Sequence, residues 1–448
     1  MFGGARLERR GNPLRRLYAW LLPRAWLRRA LRVQGILLVD ATRWCRPWAS
    51  QRLGATLRMW ERHSELLVER RKAIVASPRR RRWITIGACR MARRGALPLR
   101  MAVRRCGHAT EMLTTGSRHM AHDPRFQPFD ASLTPRFSDI ATFLRARRMD
   151  ISAEIDIALI GVPFDMGVNF RSGARHGPAA VREASRIIRQ IHPTSGIAPF
   201  RLCNVADVGD ATVNALDAAA SIDLIAQSIR RIVDAGAVPI AIGGDHTVPL
   251  PILRVIARDR PVGVVQFDAH PDTLDELLGT RINHATTFRR GVEEGLIDPR
   301  RTLQIGLRGS RFSEDDAIWG KNAGMRVITI DEYESIGRAA VIREVDRVLG
   351  DGPAYVTFDI DGLDAAYAMG TGVPEVGGYT VRDAQVMIRS LQGKNLVGGD
   401  ICEVAPVFDP TGQTALNAAN LLFELLCVIA DCRARRPPRS ATVPRASQ

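Results

Sequence analysis

The chain has 448 residues, 46% of them apolar and 25% charged, and a formal net charge of +17. That length holds one large domain or two ordinary ones with a sizeable core, and no stretch approaches the ~20 apolar residues expected of a membrane span. Seven scattered cysteines with no Cys-x-x-Cys pair argue against a disulfide framework and for a reducing, cytoplasmic setting.

In chain order, the charge comes first. Residues 1–120 hold 28 Lys and Arg against 6 Asp and Glu, so the remainder of the chain is net acidic. Six of the seven tryptophans, from Trp20 to Trp83, share that segment. Arg clusters among tryptophans, as in "RRWITIGACRMARR" (81–94), suit nucleic acid, an anionic membrane surface or a transit peptide. The plainer reading is an Arg/Trp-rich extension over 1–122, disordered or translated from GC-rich upstream DNA. The chain's 61 Arg against 3 Lys and the starts offered by Met112 and Met120 support it. No function is assigned to it.

From about residue 135 the pattern alternates between strands and helices. "EIDIALIGVPFD" (154–165) is an apolar strand entering a Gly/Pro loop. "SIDLIAQSIRRIVDAG" (221–236) predicts a helix, with Ile222, Ile225, Ile229 and Ile232 at helical spacing and Gly236 as the stop. Strands are predicted at 237–244, 261–270, 302–310, 325–331, 354–361 and 395–404, and one helix over 331–350. Near-continuous apolar strands between helices predict an α/β fold, a mostly parallel sheet with helices on both faces. Residues 123–432 form the expected folded unit, and 433–448 an expected disordered tail.

Chemistry gathers at strand ends. "VVQFDAHPDT" (264–273) closes an apolar strand with Asp268, His270 and Asp272, and residues two apart in an extended chain face one side. "VTFDIDGLD" (356–364) ends a second strand with Asp359 and Asp361, and "AIGGDHT" (241–247) offers His246 after a third. The carboxyl ends of parallel strands are where such sheets place their sites. Four converging carboxylates repel one another and resist ionisation, and two divalent cations would balance them. Carboxylates and imidazoles without thiolate suit Mn²⁺ better than structural Zn²⁺. Each piece alone has a bland reading: a capped turn for Gly-Gly-Asp-His, a core histidine for His246, loop carboxylates for Asp359 and Asp361. The three together point to a metal pair.

At these residues the chain resembles the ureohydrolases: arginase, agmatinase and the guanidino-acid hydrolases. The resemblance spans residues 133–430. "GVPFDMGVNFRSGARHGPAAVRE" (161–183), "GGDHT" (243–247), "FDAHPDT" (267–273), "FDIDGLD" (358–364) and "DICEVAP" (400–406) carry it, in family order. It implies a three-layer arginase-like fold and two Mn²⁺ per subunit, with Ni²⁺ or Co²⁺ as alternatives. The implied ligands are His246, Asp268, His270, Asp272, Asp359 and Asp361. His246, Asp268, Asp359 and Asp361 would serve one metal, His270 the other, and Asp272 would bridge or hold the shared hydroxide. The implied reaction is hydrolysis of a guanidino compound to urea and an amine. Glu403 would pair with the guanidinium and His284 would pass a proton to the leaving amine. Asp364 would order the metal loop. A homotrimer or homohexamer is implied, with a small-molecule guanidino substrate and no nucleic-acid or membrane partner for the catalytic domain.

The chain departs from the family pattern at Ala285, Ala365, Met369 and Val373, none of them a ligand. These replacements bear on loop rigidity and substrate preference. The run 286–310 is more like agmatinases and guanidino-acid hydrolases than arginases. Agmatine is named as the first expected substrate because that family label is the broader one, with 4-guanidinobutyrate or 3-guanidinopropionate as the alternative. Arg171 is a candidate anchor for a substrate carboxylate, and as readily a residue that stabilises its loop; Asp275 is a further candidate substrate contact. A reading from another class is a non-catalytic metal-binding relative whose basic extension binds nucleic acid or membrane.

Overall fold

A computed structural model describes residues 123–436. The extension expected over 1–122 lies outside the described residues, as does the chain from 437 onward. The boundary expected at 432 is corrected by the structure. The last helix, Gln413–Arg435, carries three residues beyond 432, and Arg433 pairs with Asp156 at 3.1 Å.

Nine strands make one sheet: β1 (Arg147–Arg148), β2 (Ile157–Gly161), β3 (Val205–Asp210), β4 (Val238–Ile242), β5 (Val262–Phe267), β6 (Ile297–Leu307), β7 (Arg326–Thr329), β8 (Ala354–Asp359) and β9 (Leu396–Cys402). Their order is β1-β3-β2-β4-β9-β8-β5-β6-β7, and every pairing is parallel. The inner strands β2, β4, β5 and β8 are buried along their whole length, as their apolar runs require, whereas the edge strand β1, Arg147–Arg148, is not. Ile157 and Leu159 join one core, Ala158 and Ile160 the other. Helices Gly177–Ala184, Arg338–Leu349, Val381–Arg389 and Gln413–Arg435 cover the first face. Helices Ala218–Asp234, Pro249–Ile256 and Thr287–Glu293 cover the second, completing three layers.

The helix at 218–234 forms as its pattern predicts. Asp217 caps it by accepting from the Ala220 N–H (2.9 Å), its isoleucine stripe is buried, and Gly236 leaves it at φ 80°. Other elements differ from expectation. The helix predicted over 331–350 is two, Ile330–Ile336 and Arg338–Leu349, because Gly337 breaks it at φ 75°, ψ 156°. β3 is not among the strands expected from the sequence, since two aspartates and a glycine interrupt its apolar run; its Asp207 is buried against Arg182 at 2.9 Å. Gln413–Arg435 is long and apolar enough to cross a membrane by length and composition, although no such stretch is expected from the sequence. Within this fold it is a core helix, 78% buried over its most apolar window. Its buried Glu424 is held by Arg389 (2.6 Å) and His192 (3.0 Å).

Candidate metal centre

The sheet register brings four strand ends level. Ile242 of β4 pairs with Ile401 of β9, Ile401 with Phe358 of β8, and Phe358 with Phe267 of β5. Asp359 and Asp268 come one residue later, and His246 and Glu403 within four residues of the same row. β4 and β5 are consecutive in the chain but are separated by β9 and β8 in the sheet. A crevice at such a break in strand order is a natural binding place.

β5 ends at Phe267, so Asp268, His270 and Asp272 do not alternate along an extended chain as expected. A turn brings them together instead. The His270 N–H donates to Asp268 Oδ1 (2.7 Å), and Asp272 adopts left-handed backbone at φ 52°. His246 Nδ1 then lies 2.8 Å from Asp272 Oδ2, 3.0 Å from Asp268 Oδ2 and 3.3 Å from Asp359 Oδ2. His270 Nδ1 lies 3.0 Å from Asp361 Oδ2 and 3.7 Å from Asp268 Oδ1. The clusters with metal-binding geometry are His246–Asp268–Asp359 and Asp268–His270–Asp361. Asp361 thus groups with His270, whereas the resemblance implies a place beside His246, and Asp268 belongs to both. All six are buried except His270, which is partly exposed.

The electrostatics test whether this set suits cations. Burial, then Asp272 and Asp361, push Asp268 up to about 7, and burial, with Asp361 and Asp268, also raises Asp359 well above the usual carboxylate range. Burial opposes charge on His246 and His270 too, but their carboxylate partners prevail and raise both well above the ordinary range. Asp361 is raised by burial, yet His270 and the Ala269 N–H bring it down to about 2. Protons thus hold these carboxylates and imidazoles in contact. Such a donor set takes up divalent cations by releasing protons, so the residues fit a metal pair.

Partners behind the set orient it. Thr357 Oγ1 donates to Asp400 Oδ1 (2.8 Å) and so accepts from His246 Nε2 (2.8 Å), leaving Nδ1 facing the carboxylates. Gln266 Nε2 donates to Asp268 Oδ2 (2.7 Å), and Gln304 Nε2 to Gln266 Oε1 (2.8 Å). Asp364 accepts from the N–H groups of Ala366, Gly377 and Gly378, which pins the loop carrying Met369 and Val373.

Glu403 stands at φ 64° beside this set. Its Oε1 accepts from the His246 N–H (2.9 Å) and lies 3.1 Å from His284 Nδ1, while its buried Oε2 has no partner among the described residues. His284 Nε2 is 2.9 Å from Asn169 Oδ1. Burial would keep His284 neutral, but Glu403 overrides it and raises its pKa to about 9, so the ring holds a proton at each nitrogen near neutral pH. Glu403, His284, Asp272, Asp359 and Asp361 line one pocket.

Arg171 and Asp275 are not among that lining. The Arg171 guanidinium donates to the carbonyls of Thr371 (2.6 Å) and Gly372 (3.1 Å) and stacks on Phe408. Asp275 is held by Arg281 and Arg290 (2.8 and 2.7 Å). Sequence reasoning missed Asn169, Thr357, Asp400 and Asp245. Thr357 was within reach: it lies two residues before Asp359 on β8, hence on the same face. Asp245 is buried, accepts from the Gly167 and Thr247 N–H groups, and is raised to about 6, chiefly by burial.

Gly244 explains the paired glycines. A Cβ there would fall 1.5 Å from the Phe164 carbonyl oxygen, and the Gly244 carbonyl accepts from the Glu403 N–H (2.8 Å). Gly244→Ala should therefore cost at least about 3 kcal/mol, the upper end of overpacking, and weaken metal uptake by moving His246. Thermal melting with metal analysis checks this; a variant with wild-type melting and metal content would refute it.

A family model described as the arginase family matches residues 155–427. Guanidinopropionase from Pseudomonas aeruginosa is 49% identical over 310 residues, covering 69% of this chain and 98% of that protein. Mitochondrial agmatinase from Gallus gallus is 44% identical over 303 residues, covering 67% of this chain and 89% of that protein. The solved structure of proclavaminate amidino hydrolase from Streptomyces clavuligerus superposes with a TM-score of 0.64 at 35% identity, covering 67% of this chain and all of that one. The level strand ends, the shared Asp268 and these matches agree: the chain belongs to the arginase family.

Proposed function

We propose that this protein is a binuclear manganese hydrolase that splits a guanidino compound into urea and an amine. The observation that carries the reading is Glu403: a buried carboxylate oxygen without a partner among the described residues, beside the two carboxylate–imidazole clusters. A buried acceptor of this kind calls for a donor, and a guanidinium supplies several in one plane.

His246, Asp268 and Asp359 would hold one ion, Asp268, His270 and Asp361 the other, with Asp272 against His246 closing the set. When bound, the pair supplies a water acidified toward neutral pH and a counter-charge for the carboxylates. The protein's own groups do the rest. Glu403 Oε2 receives a guanidinium N–H and turns the planar carbon toward the metal set. Asn169 and Glu403 hold the His284 ring between them, and its proton passes to the departing amine nitrogen. Relatives named for guanidinopropionate, guanidinobutyrate and agmatine support the substrate class. The homotrimer or homohexamer and the cytoplasmic location expected from the sequence belong to the same proposal.

The test is urea release by the full chain, stripped of metal and reloaded with Mn²⁺, Ni²⁺ or Co²⁺. Agmatine, 4-guanidinobutyrate, 3-guanidinopropionate and arginine are offered in parallel. Urea from at least one, lost on chelation and restored by metal, is the expected result. No urea from any of them, with two ions bound, would support the non-catalytic reading instead.

A further inference from the structure

The proposal above leaves the far end of the substrate unheld, and this inference rests on that proposal. We infer that Arg311 binds a carboxylate at that end, so that the substrate is an ω-guanidino carboxylate rather than the diamine derivative agmatine.

Arg311 lies on the loop after β6, whose neighbour β5 delivers Asp268. This loop rests on the metal cluster: a Cβ at Gly309 would meet His270 Cδ2 at 2.6 Å. Arg311 lines the same pocket as Asp272, His284 and Glu403. Leu274, Phe312 and Val373 line it as well, an apolar surface suited to a methylene chain.

The other arginines around the site are already engaged. Arg171 serves Thr371 and Gly372. Arg308 donates to the carbonyls of Gly306, Asp361, Gly362, Leu363, Glu375 and Val376. Arg175 is paired with Asp165, and Arg281, Arg289 and Arg290 with Asp275 and Glu293. Arg311 makes no hydrogen bond or ion pair with the described residues. Lys321, whose ammonium likewise makes no hydrogen bond or ion pair with them, lines an adjoining cleft with Arg311 and adds positive charge there.

The acids argue in the same direction. A distal ammonium needs an uncommitted carboxylate at the pocket mouth. Apart from the metal set and Glu403, the acid in the lining is Asp316. It is occupied by the Phe312 N–H (2.9 Å), the Ser313 N–H (3.1 Å) and the Ser313 hydroxyl (2.8 Å). Asp275, the other candidate, is neutralised by its arginines. Glu375, beside Gly309 at the pocket edge, is paired with His270 Nε2 at 3.4 Å. Among the charged side chains lining the pocket outside the metal set and Glu403, Arg311 is thus the one without a partner among the described residues, and a planar guanidinium matches a carboxylate in two-point contact.

The experiment uses the full Mn²⁺-loaded chain, with metal content measured for every variant. The readout is kcat/KM for 3-guanidinopropionate and 4-guanidinobutyrate divided by kcat/KM for agmatine, a ratio that general damage leaves unmoved. Wild type should favour an acid. Arg311→Ala should lower the ratio roughly 10- to 100-fold, the span of one charge-assisted hydrogen bond, mainly through KM for the acid. Arg311→Glu should lower it further by repelling the acid and attracting the ammonium, and Arg311→Lys should restore part of the loss. A ratio unmoved by Arg311→Glu while urea is still released, or a wild type that prefers agmatine, overturns the role of Arg311 and leaves the ureohydrolase reading standing. Absence of urea from every guanidine, with two ions bound, overturns both.

Discussion

Asp268→Asn is expected to lower urea release at least about 10³-fold, beyond the 10- to 100-fold typical of losing an outer partner of a metal ligand. Asp268 is the carboxylate common to both clusters, so its loss weakens two sites at once. The folded protein should survive. Without metal, Asp268 is held protonated up to about 7, and asparagine mimics the protonated acid. An acid whose folded pKa lies above its unfolded value of 3.8 costs stability as pH rises between the two, because the unfolded chain ionises first. The raised His246 and His270 act in the same direction, since their stabilising protons are lost as pH rises through their elevated values. Asp361, lowered to about 2, contributes above 3.8 and loses that contribution only as pH falls below it. Metal-free wild type should therefore melt at progressively lower temperature from pH 3.8 toward about 7, and Asp268→Asn should flatten the trend. Near neutral pH, Mn²⁺ should raise the melting temperature of wild type but not of the variant. A variant that still gains stability from Mn²⁺ and binds two ions would exclude the shared role.

Glu403→Gln is the second large effect. The change keeps the shape and leaves an oxygen for the His246 N–H, but removes the charge that faces the guanidinium. Losing one side of a buried charged pair costs about 2–5 kcal/mol, which is roughly 30- to 5,000-fold in kcat/KM. Metal content should stay at wild-type level, which distinguishes this variant from Asp268→Asn. His284 should lose its elevated pKa at the same time, because the Glu403 carboxylate is what overrides its burial. Histidine titration by NMR would show it, and an unchanged His284 would mean that another group charges the ring.

Much of the metal centre is legible in the amino-acid sequence alone. The strand ends carrying His246, Asp268 and Asp359 follow from apolar runs that stop at charged residues, and their convergence follows from carboxylates that have no other means of balance. What the turns do is not legible there. Nothing in "FDAHPDT" tells that β5 stops at Phe267 and that Asp272 enters left-handed backbone, so the right residues are expected to meet for the wrong geometric reason. Sheet register is hidden too, and with it the sharing of Asp268 and the pairing of Asp361 with His270. Arg171 looks like a substrate anchor because a sequence shows charge but not whether that charge is already engaged. Arg311 goes unmarked for the same reason. Thr357 and Asn169 act through a neighbour's ring nitrogen, a relation that spacing reveals only when both residues share one strand.

β9 sits between β4 and β8, and among the described residues no other strand joins the two halves of the sheet. β1, β3, β2 and β4 lie on one side, and β8, β5, β6 and β7 on the other. The ligand-bearing loops are all synthesised before Leu396–Cys402, yet His246 on one half cannot meet Asp268 and Asp359 on the other until that late segment docks between them. Assembly of the metal centre is thereby tied to the synthesis of β9. A nascent chain halted short of β9 carries two four-stranded fragments with facing unpaired edges, the kind of exposed intermediate on which folding factors act. The strand that contributes Asp400 and leads into Glu403 also serves as the latch, so a chain that has acquired catalytic geometry is one that has been made through β9.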